Sequence, residues 1–361
     1  MSFTAKTRIE VPAAESLIAS LCTHLEKHAT LRSRSEDGGS FDFGNGTALL
    51  RRQAGTLHIL AEASSEADLL YLRMMLASHV VEMSEGEPRI VWSGDGAGVA
   101  RPPNFRVMTV LAARDITPHM RRLTLKGDDL SWFDSPHLHV RLFIPPGSVE
   151  PEWPRLLENG LVRLPQGPGK PHVRKYTIRH IDVAAGTLDV DFVTHEVAGP
   201  GSDFVASTQA GDPVGMAGPG GGGYTAARWN LFAGDETALP AIARMLESMP
   251  RDGRGLALIE VANKSEEQTI PAPEGVAVRW LHRNGAEPGT TDLLLDAVRA
   301  VEWPDEDGHF TWVACEFEAF RKIRTYLRKE RHIPRDRHLV VAYWRRGQNE
   351  DSFATVKHGE E

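Results

Sequence analysis

The chain has 361 residues, more than twice a typical domain length of roughly 150, which excludes a single small module and predicts two or three domains. Apolar residues make up 41% and charged residues 25%, the mixture of a folded protein rather than a disordered one. The net charge of −8 gives no attraction to nucleic acid or to an anionic membrane surface, and two cysteines are too few for a disulfide framework or a cysteine-ligated iron–sulfur cluster.

The N-terminus has no apolar core of the signal-peptide type, and no window reaches the ~18 uncharged apolar residues of a spanning helix. We therefore expect a cytoplasmic protein with no membrane insertion and no nucleic-acid partner. No obligate protein partner is evident from the sequence.

Residues 1–95 predict a small α+β domain. Two amphipathic helices are expected over Pro12–Ala29 and Ser64–Met83, because leucines recur there at helical spacing. Short alternating segments predict the strands Thr4–Val11, Gly39–Phe43, Ala48–Arg52, Leu57–Ala61 and Arg89–Trp92.

A linker rich in turn residues is expected over residues 96–104, followed by two larger domains. Residues 105–225 predict a small antiparallel β-barrel, with a long loop over Pro145–Lys170 near its middle. In residues 226–347, apolar strands alternate with helices, which predicts an α/β domain with a parallel sheet covered on both faces. Residues 348–361 read as a polar tail. The expected barrel strands are Arg106–Ala113, Met120–Lys126, Leu138–Ile144, Arg174–Arg179, Thr187–Val193 and Pro213–Ala217.

The predicted strand around Tyr176 is the most informative segment for chemistry. Strand alternation puts Arg174, Tyr176 and Ile178 on one face, with the cation and the aromatic plane about 7 Å apart. This spacing suits a ligand that carries both an anion and a flat ring. An ordinary barrel strand with a solvated Arg–Lys pair is the alternative.

Two glycine turns follow strands and precede helices. The segment from His195 to Ser202 includes a Gly-Pro-Gly turn whose main-chain N–H groups could bind an anion, with Ser202 able to cap the next helix. The segment from Gly234 to Ala238 lies at a strand-to-helix turn, where α/β sheets bind ligands. Helix capping by Asp235 or Thr237 is the alternative, and the standard dinucleotide fingerprint is absent.

Three histidines of the N-terminal segment form a possible metal site. His24 and His28 are spaced by four residues on the first predicted helix, and His79 lies on the second. Imidazoles so placed suit zinc or iron if all three converge. Partly exposed polar histidines without a metal are the alternative, and the prediction for the chain as a whole is no metal site.

The chain from about Phe105 to Gly347 resembles the siderophore-interacting protein family, which comprises flavin-dependent ferric-siderophore reductases of the ferredoxin-reductase-like superfamily. The resemblance rests on several motifs in the family's order: His139-Val-Arg-Leu142, Arg174-x-Tyr-Thr-x-Arg179, His195-x-x-x-Gly-Pro-x-Ser202, Gly218-Pro-Gly220, Gly234-Asp-Glu-Thr-Ala-Leu-Pro240, Trp312…Glu316 and Tyr343-Trp-Arg345. The N-terminal segment is similar to a small bacterial domain of unknown function.

The resemblance implies FAD on the barrel and NADH or NADPH on the α/β half. By that analogy Tyr176 stacks on the isoalloxazine and Thr177 contacts its N5 edge, although alternation puts these two side chains on opposite faces. The remaining implied positions fall into three groups. Arg174 and Arg179 would hold anionic or polar parts of FAD, Gly201 and Ser202 its pyrophosphate with His195 nearby, and Asp235, Glu236, Thr237 and Ala238 would border the nicotinamide.

The chain departs from the family pattern at several positions. The family usually has alanine where this chain has Gly201, glycine where it has Cys315, and often a basic residue where it has Gly220. Three basic residues are possible partners for a nucleotide 2′-phosphate, namely Arg279, Arg283 and Lys264.

The implied activity is electron transfer from NAD(P)H through FAD to Fe³⁺ in a ferric siderophore, with release of Fe²⁺ in the cytoplasm. Arg141 and Arg345 are the expected substrate-binding residues, with Arg346 and Lys126 as weaker candidates. The basic run from Arg321 to Arg331 reads as a solvated helix face. Two other functions stay open: a flavin reductase that passes electrons to a protein carrier, and a non-enzymatic siderophore- or metal-binding module.

Overall fold

The computed structural model describes residues 2–11, 13–96, 101–147, 149–194, 199–304 and 308–348, and these residues form two units. The first unit comprises residues 1–105 together with 146–171. The second comprises residues 106–145 and 172 onward.

Strands dominate the described part of the chain. In chain order the strands are β1 (Phe3–Glu10), β2 (Thr30–Ser35), β3 (Gly38–Asp42), β4 (Gly46–Gln53), β5 (Thr56–Ala63), β6 (Trp92–Gly94), β7 (Phe105–Thr117), β8 (Met120–Lys126), β9 (His139–Ile144), β10 (Arg155–Leu156), β11 (Val162–Arg163), β12 (His172–Asp182), β13 (Thr187–Val193), β14 (Pro213–Gly220), β15 (Trp229–Gly234), β16 (Arg254–Val261), β17 (Gly275–His282), β18 (His309–Glu316) and β19 (His338–Trp344). The helices are α1 (Ala14–Leu25), α2 (Glu66–Met83), α3 (Pro200–Ser207), α4 (Leu239–Ser248), α5 (Leu293–Arg299) and α6 (Phe317–Thr325), the last continued by a π-helical turn over Tyr326–Glu330.

The first unit is built on a six-stranded antiparallel sheet in the order β2-β3-β4-β5-β1-β6. Alternate side chains of the inner strands and the apolar faces of α1 and α2 share one core. Ser65 caps α2 through its side chain, which accepts a hydrogen bond from the main-chain N–H of Asp68. The core side chains include Ile9, Leu21, Phe41, Leu57 and Leu76, all almost fully buried.

Two edges of this sheet differ from the sequence prediction. Strand β2 was not expected, because all six of its residues are exposed and leave no alternating apolar signal. Strand β6 begins at Trp92, where the predicted strand ends. The first helix ends at Leu25 rather than Ala29.

The segment 146–171 leaves the chain of the second unit and packs within the first. Its short strands β10 and β11 pair with each other. Leu161 packs against the core of the first unit, and Trp92 donates an indole hydrogen bond of 3.1 Å to the carbonyl of Asn159. The loop noticed in the sequence is therefore a structural part of the N-terminal unit.

The second unit begins with a closed six-stranded barrel in the order β12-β13-β8-β7-β14-β9. These are the six strands expected from the sequence, lengthened at several ends. Inward-facing residues such as Val140, Leu142 and Ile144 of β9 alternate with outward-facing ones and fill the barrel.

The rest of the second unit is a five-stranded parallel sheet in the order β17-β16-β15-β18-β19. Helix α4 packs on one face of the sheet, while α5 and α6 cover the other. The predicted architecture is thus confirmed: a small α+β unit, an antiparallel barrel and an α/β half with a parallel sheet. Within the described residues, no helix has both the length and the apolar character needed to span a membrane.

Candidate active site

Strand β12 carries the arginine–aromatic motif along the barrel. Arg174 is buried, and its guanidinium donates a hydrogen bond of 2.7 Å to the carbonyl of Val173. Tyr176 is half-buried, and its ring centroid lies 4.1 Å from that of Phe192 on β13. A rigid aromatic side chain is therefore held partly open on the barrel, as a platform for a flat ring requires.

The glycine turn reaches this aromatic side chain through helix α3. A Cβ added at Gly201 would lie 2.3 Å from the phenolic oxygen of Tyr176, so the first turn of α3 lies directly against the ring's hydroxyl. The family's usual alanine would compete here for space that the Tyr176 hydroxyl occupies. Pro200 opens the helix, and among the described residues no side chain caps it, so the N–H groups of Gly201 and Ser202 can face an anion. His195, the remaining predicted residue of this segment, lies outside the described residues.

Thr177 lies on the opposite face of β12 from Tyr176. It pairs across the ladder with His139 of β9, so the two side chains share a face. The imidazole Nε2 of His139 and the hydroxyl of Tyr343 at the end of β19 are 2.7 Å apart. Burial raises the pKa of Tyr343, so its phenol stays protonated in this hydrogen bond with the imidazole. Thr177 is therefore buried on the barrel face that meets the α/β half.

Arg179 does not stand free for a ligand. Its guanidinium makes two contacts with the carboxylate of Glu247 on α4, at 2.7 and 2.5 Å. Three residues before Glu247 on α4, Arg244 donates to the carbonyls of Ser135, His137 and Ile178 at 2.9, 3.3 and 3.1 Å. Both arginines thus tie α4 to the barrel next to β12.

Asp235 gathers main chain and side chains at the carboxyl edge of the parallel sheet. One carboxylate oxygen accepts from the main-chain N–H and the hydroxyl of Thr237, at 3.0 and 2.5 Å. The other accepts from the N–H of Glu316 and the indole of Trp344, at 3.0 and 2.8 Å. Burial, and then the charge of the neighbouring carboxylate, raise the pKa of Asp235 to about 6. Ala238 is fully buried and contributes no side-chain surface to a ligand.

Glu236 is held by the buried guanidinium of Arg283, at 2.6 and 2.8 Å, and Glu260 contacts the same guanidinium at 3.3 Å. Burial raises the pKa of Glu260 to about 7, against the attraction of Arg283. Arg283 is therefore engaged by two carboxylates, which argues against it as the partner of a 2′-phosphate. Arg279 and Lys264 are exposed.

The predicted substrate arginines lie in different surroundings. Arg141 is exposed on β9, where it pairs across the ladder with Lys175. Arg345 follows β19 directly and stacks over the ring of Phe317 at 4.4 Å. Lys126 and Arg346 are exposed.

Arg345 belongs to a cleft of about 340 Å³ at the carboxyl edge of the sheet. Arg324 stacks over Phe320 at 4.4 Å, while Arg321 faces Glu318 at 3.2 Å. The sequence indicated a solvated face for this helix, yet two of its cations line the cleft. The lining residues are Phe317, Arg321, Arg324 and Arg345.

Cys315 is almost fully buried in the core beneath α5 and α6, and burial raises the pKa of its thiol well above the ordinary value. It is therefore a core residue and not a nucleophile at this edge.

Sequence reasoning missed the residues that join the two halves of this unit. Glu266 accepts from the Thr117 hydroxyl at 2.5 Å and lies 2.6 Å from Nδ1 of His119. Like Arg244, it connects positions more than 60 residues apart in the chain. Only its burial marks it as unusual, and burial of a single glutamate is not readable from sequence.

Known protein families match the chain in three segments. A family model described as siderophore-interacting FAD-binding domain matches residues 109–223, and one described as siderophore-interacting protein matches residues 227–347. A third, an uncharacterized protein conserved in bacteria, matches residues 6–93.

Individual relatives agree with these models. Ferric vibriobactin reductase ViuB of Vibrio cholerae is 31% identical over 268 residues, which are 70% of this chain and 94% of that protein. The crystal structure of a siderophore utilization protein from T. fusca is 40% identical, with a TM-score of 0.61 over 68% of this chain and 94% of its own. The siderophore-interacting protein SipS from Aeromonas hydrophila is 29% identical, with a TM-score of 0.61 over 71% and 97% of the two chains.

The chain belongs to the siderophore-interacting protein family. The predicted family is thus confirmed, and the chain is an oxidoreductase that uses FAD. The residues present fit that cofactor: Tyr176 offers a ring-sized platform, the uncapped start of α3 offers two N–H groups beside it, and Arg174 adds a buried cation on the same strand.

Proposed function

We propose that this siderophore-interacting protein reduces Fe³⁺ held in a ferric siderophore, with NADH or NADPH as the electron donor. The observation that carries the proposal is the contact between the start of α3 and Tyr176, because it brings an aromatic platform and an anion-binding helix end together. Release of Fe²⁺ in the cytoplasm is part of the same proposal.

FAD supplies the conversion of a two-electron donor into a one-electron donor, which side chains cannot perform. Tyr176 stacks on the ring, and Thr177, whose side chain lies on the opposite face of β12, would contact the ring edge through its main chain. Arg174 and the N–H groups of Gly201 and Ser202 bind the pyrophosphate, with His195 as a further contact.

The carboxyl edge of the parallel sheet receives the nicotinamide. Its border is formed by Asp235, Glu236 and Thr237, with Ala238 beneath them. The carboxylates of Asp235 and Glu236 already accept hydrogen bonds from protein donors. They therefore fix the conformation of this edge and do not bind the nucleotide directly.

The arginine-lined cleft binds the substrate. Three guanidinium groups surround a space of about 340 Å³, and one of them, that of Arg321, pairs with the carboxylate of Glu318 at 3.2 Å. This charge suits a bulky, anionic, oxygen-rich iron chelate. Arg345 contributes from this cleft, and Arg141 contributes from the barrel.

Iron release follows from ligand preference, because oxygen-rich chelators bind the harder Fe³⁺ far better than Fe²⁺. The reaction needs no general acid at the iron, so no proton-transfer residue is assigned. The protein binds FAD, the nicotinamide nucleotide and the ferric chelate, and positions them for electron transfer.

The test uses the purified full chain under anaerobic conditions. The protein should be yellow, should bleach on addition of NADH or NADPH, and should regain colour when a ferric siderophore is added, while a ferrous chelator reports Fe²⁺. Flavin-free protein that cannot be reconstituted would refute the proposal. Bleached protein that reacts with a flavodoxin-type carrier but with no ferric chelate would favour a protein acceptor instead.

A further inference from the structure

Three histidines of the N-terminal unit converge although they come from two helices. His24 lies in the last turn of α1, His28 in the turn that follows, and His79 on α2. One ring nitrogen from each lies within 4.8 Å of the other two, and the ring centroids are 4.6 to 5.3 Å apart. The Nε2 atoms of His24 and His28 are only 3.1 Å apart.

The surroundings do not satisfy all three rings, although the Nε2 atoms of His24 and His28 can share one hydrogen bond in the metal-free protein. The Nδ1 atom of His79 is buried and has no hydrogen-bond partner among the described residues. The nearest carboxylate, Glu82, lies 3.6 Å away, which is beyond hydrogen-bond distance.

We propose that His24, His28 and His79 bind a divalent first-row transition metal ion, with a fourth position open to water or to a further ligand. Metal–nitrogen bonds of about 2.05 Å in a tetrahedron place the nitrogens roughly 3.3 Å apart. The His24–His28 pair already matches this spacing, and the third ring needs to move by about 1.5 Å at most to complete it.

The donor set narrows the class of ion. Three imidazoles and no carboxylate or thiolate suit Zn²⁺, Co²⁺, Ni²⁺, Cu²⁺ or Fe²⁺, whereas Ca²⁺ and Mg²⁺ need oxygen ligands. Cys22 is nearly fully buried in the apolar core and is not a fourth ligand. Glu82 lies 3.6 Å from Nδ1 of His79, so with the metal on Nε2 a small shift lets the carboxylate accept from Nδ1–H and orient the ring from outside the ligand set.

The exposure of the rings also fits a site that loads from solvent. His28 is exposed and His24 half-buried, while the His79 side chain is 17% exposed. A structural metal would be enclosed on all sides, so this arrangement favours an accessible site with an open coordination position.

The test is metal binding by the chelator-treated, FAD-loaded full chain. Calorimetric titration with Zn²⁺ should give one site per chain, and Co²⁺ should give the visible spectrum of a histidine-bound ion. His28→Ala and His79→Gln should each weaken binding by more than the roughly 10- to 100-fold expected when an outer partner such as Glu82 is replaced by Gln.

His58→Ala is the matched control, since His58 lies in the same unit, contacts Thr56 at 2.9 Å and is outside the cluster. His28→Ala alters an exposed side chain and should leave the fold intact, as circular dichroism and flavin content can verify. Less than one metal per chain in the wild type, or equal binding by wild type, His28→Ala and His79→Gln, would overturn the proposal. Neither measurement depends on reductase activity.

Discussion

Arg179 on β12 and Glu247 on α4 form a two-contact ion pair, with nitrogen–oxygen distances of 2.7 and 2.5 Å. The two side chains are 12% and 29% exposed. The pair therefore joins the barrel to the α/β half at the strand that carries Tyr176, and it offers a different role for an arginine that the sequence assigned to the cofactor.

The pair predicts a measurable coupling between the two positions. Arg179→Gln and Glu247→Gln should each destabilise the protein, and the double variant should lose less than the sum, with a coupling energy of about 1–3 kcal/mol. Urea unfolding followed by tryptophan fluorescence measures all four proteins. If Arg179→Gln weakens FAD binding and Glu247→Gln does not, Arg179 is a cofactor ligand as the sequence predicts.

Tyr176 should govern FAD affinity through its ring rather than its hydroxyl. Tyr176→Ala removes the platform and should weaken FAD binding by about 10- to 100-fold, which corresponds to roughly 1.4–2.8 kcal/mol. Tyr176→Phe keeps the ring and should bind FAD within a few-fold of the wild type. Fluorescence titration of the flavin-stripped proteins gives both affinities, and unchanged binding by Tyr176→Ala would exclude the stacking role.

The arginine-lined cleft should bind anionic ferric chelates more tightly than neutral ones. Arg324→Ala and Arg345→Ala are each expected to raise KM for an anionic ferric chelate by about tenfold, with a smaller effect on a neutral chelate, because each removes one charge-assisted contact. Steady-state Fe²⁺ formation measures this. Lys329→Ala removes an exposed cation outside the cleft and should leave KM unchanged; an equal rise for Lys329→Ala would show a general charge effect instead.

Glu260 should make stability depend on pH. Its pKa is about 7 in the folded protein and about 4.5 when exposed, so between these pH values the folded state holds a proton that the unfolded state has lost. This contribution is fully present below pH 4.5 and is lost as the pH rises through 7. Relative to Glu260→Gln, the wild type should lose at most about 3 kcal/mol across that window.

Unfolding free energies at pH 5 and pH 7.5 provide the measurement for Glu260. Glu274→Gln, which changes an exposed carboxylate, is the control and should follow the wild-type curve. Parallel curves for the wild type and Glu260→Gln would show that the carboxylate is ionised throughout.

The sequence predicted the elements of the second unit well because their signals are local. The barrel strands are short apolar segments bounded by Pro, Gly and polar residues, and the α/β half alternates apolar strands with amphipathic helices. Strand β2 was not predicted, because an edge strand with every residue exposed has no apolar pattern.

The partners of individual site residues were not predictable in the same way. The sequence offered Arg283 as a possible phosphate-binding cation, but the fold places Glu236 and Glu260 beside it. For the histidines the fold adds a neighbour rather than removing a candidate site, because the packing of α1 against α2 brings His79 to His24. Contacts between distant segments depend on the tertiary fold, and single-sequence patterns do not carry them.

Residues 146–171 have a consequence for how this architecture can be divided. The barrel's chain path is interrupted by a segment whose Leu156 and Leu161 are covered within the N-terminal unit, and whose Asn159 accepts from Trp92. A truncation at residue 96 would strip that cover and leave leucines exposed to water in the middle of the remaining polypeptide. The histidine-bearing unit is therefore built from two separate stretches of the chain, and a shortened protein that omits this unit must replace residues 146–171 as well as remove residues 1–105.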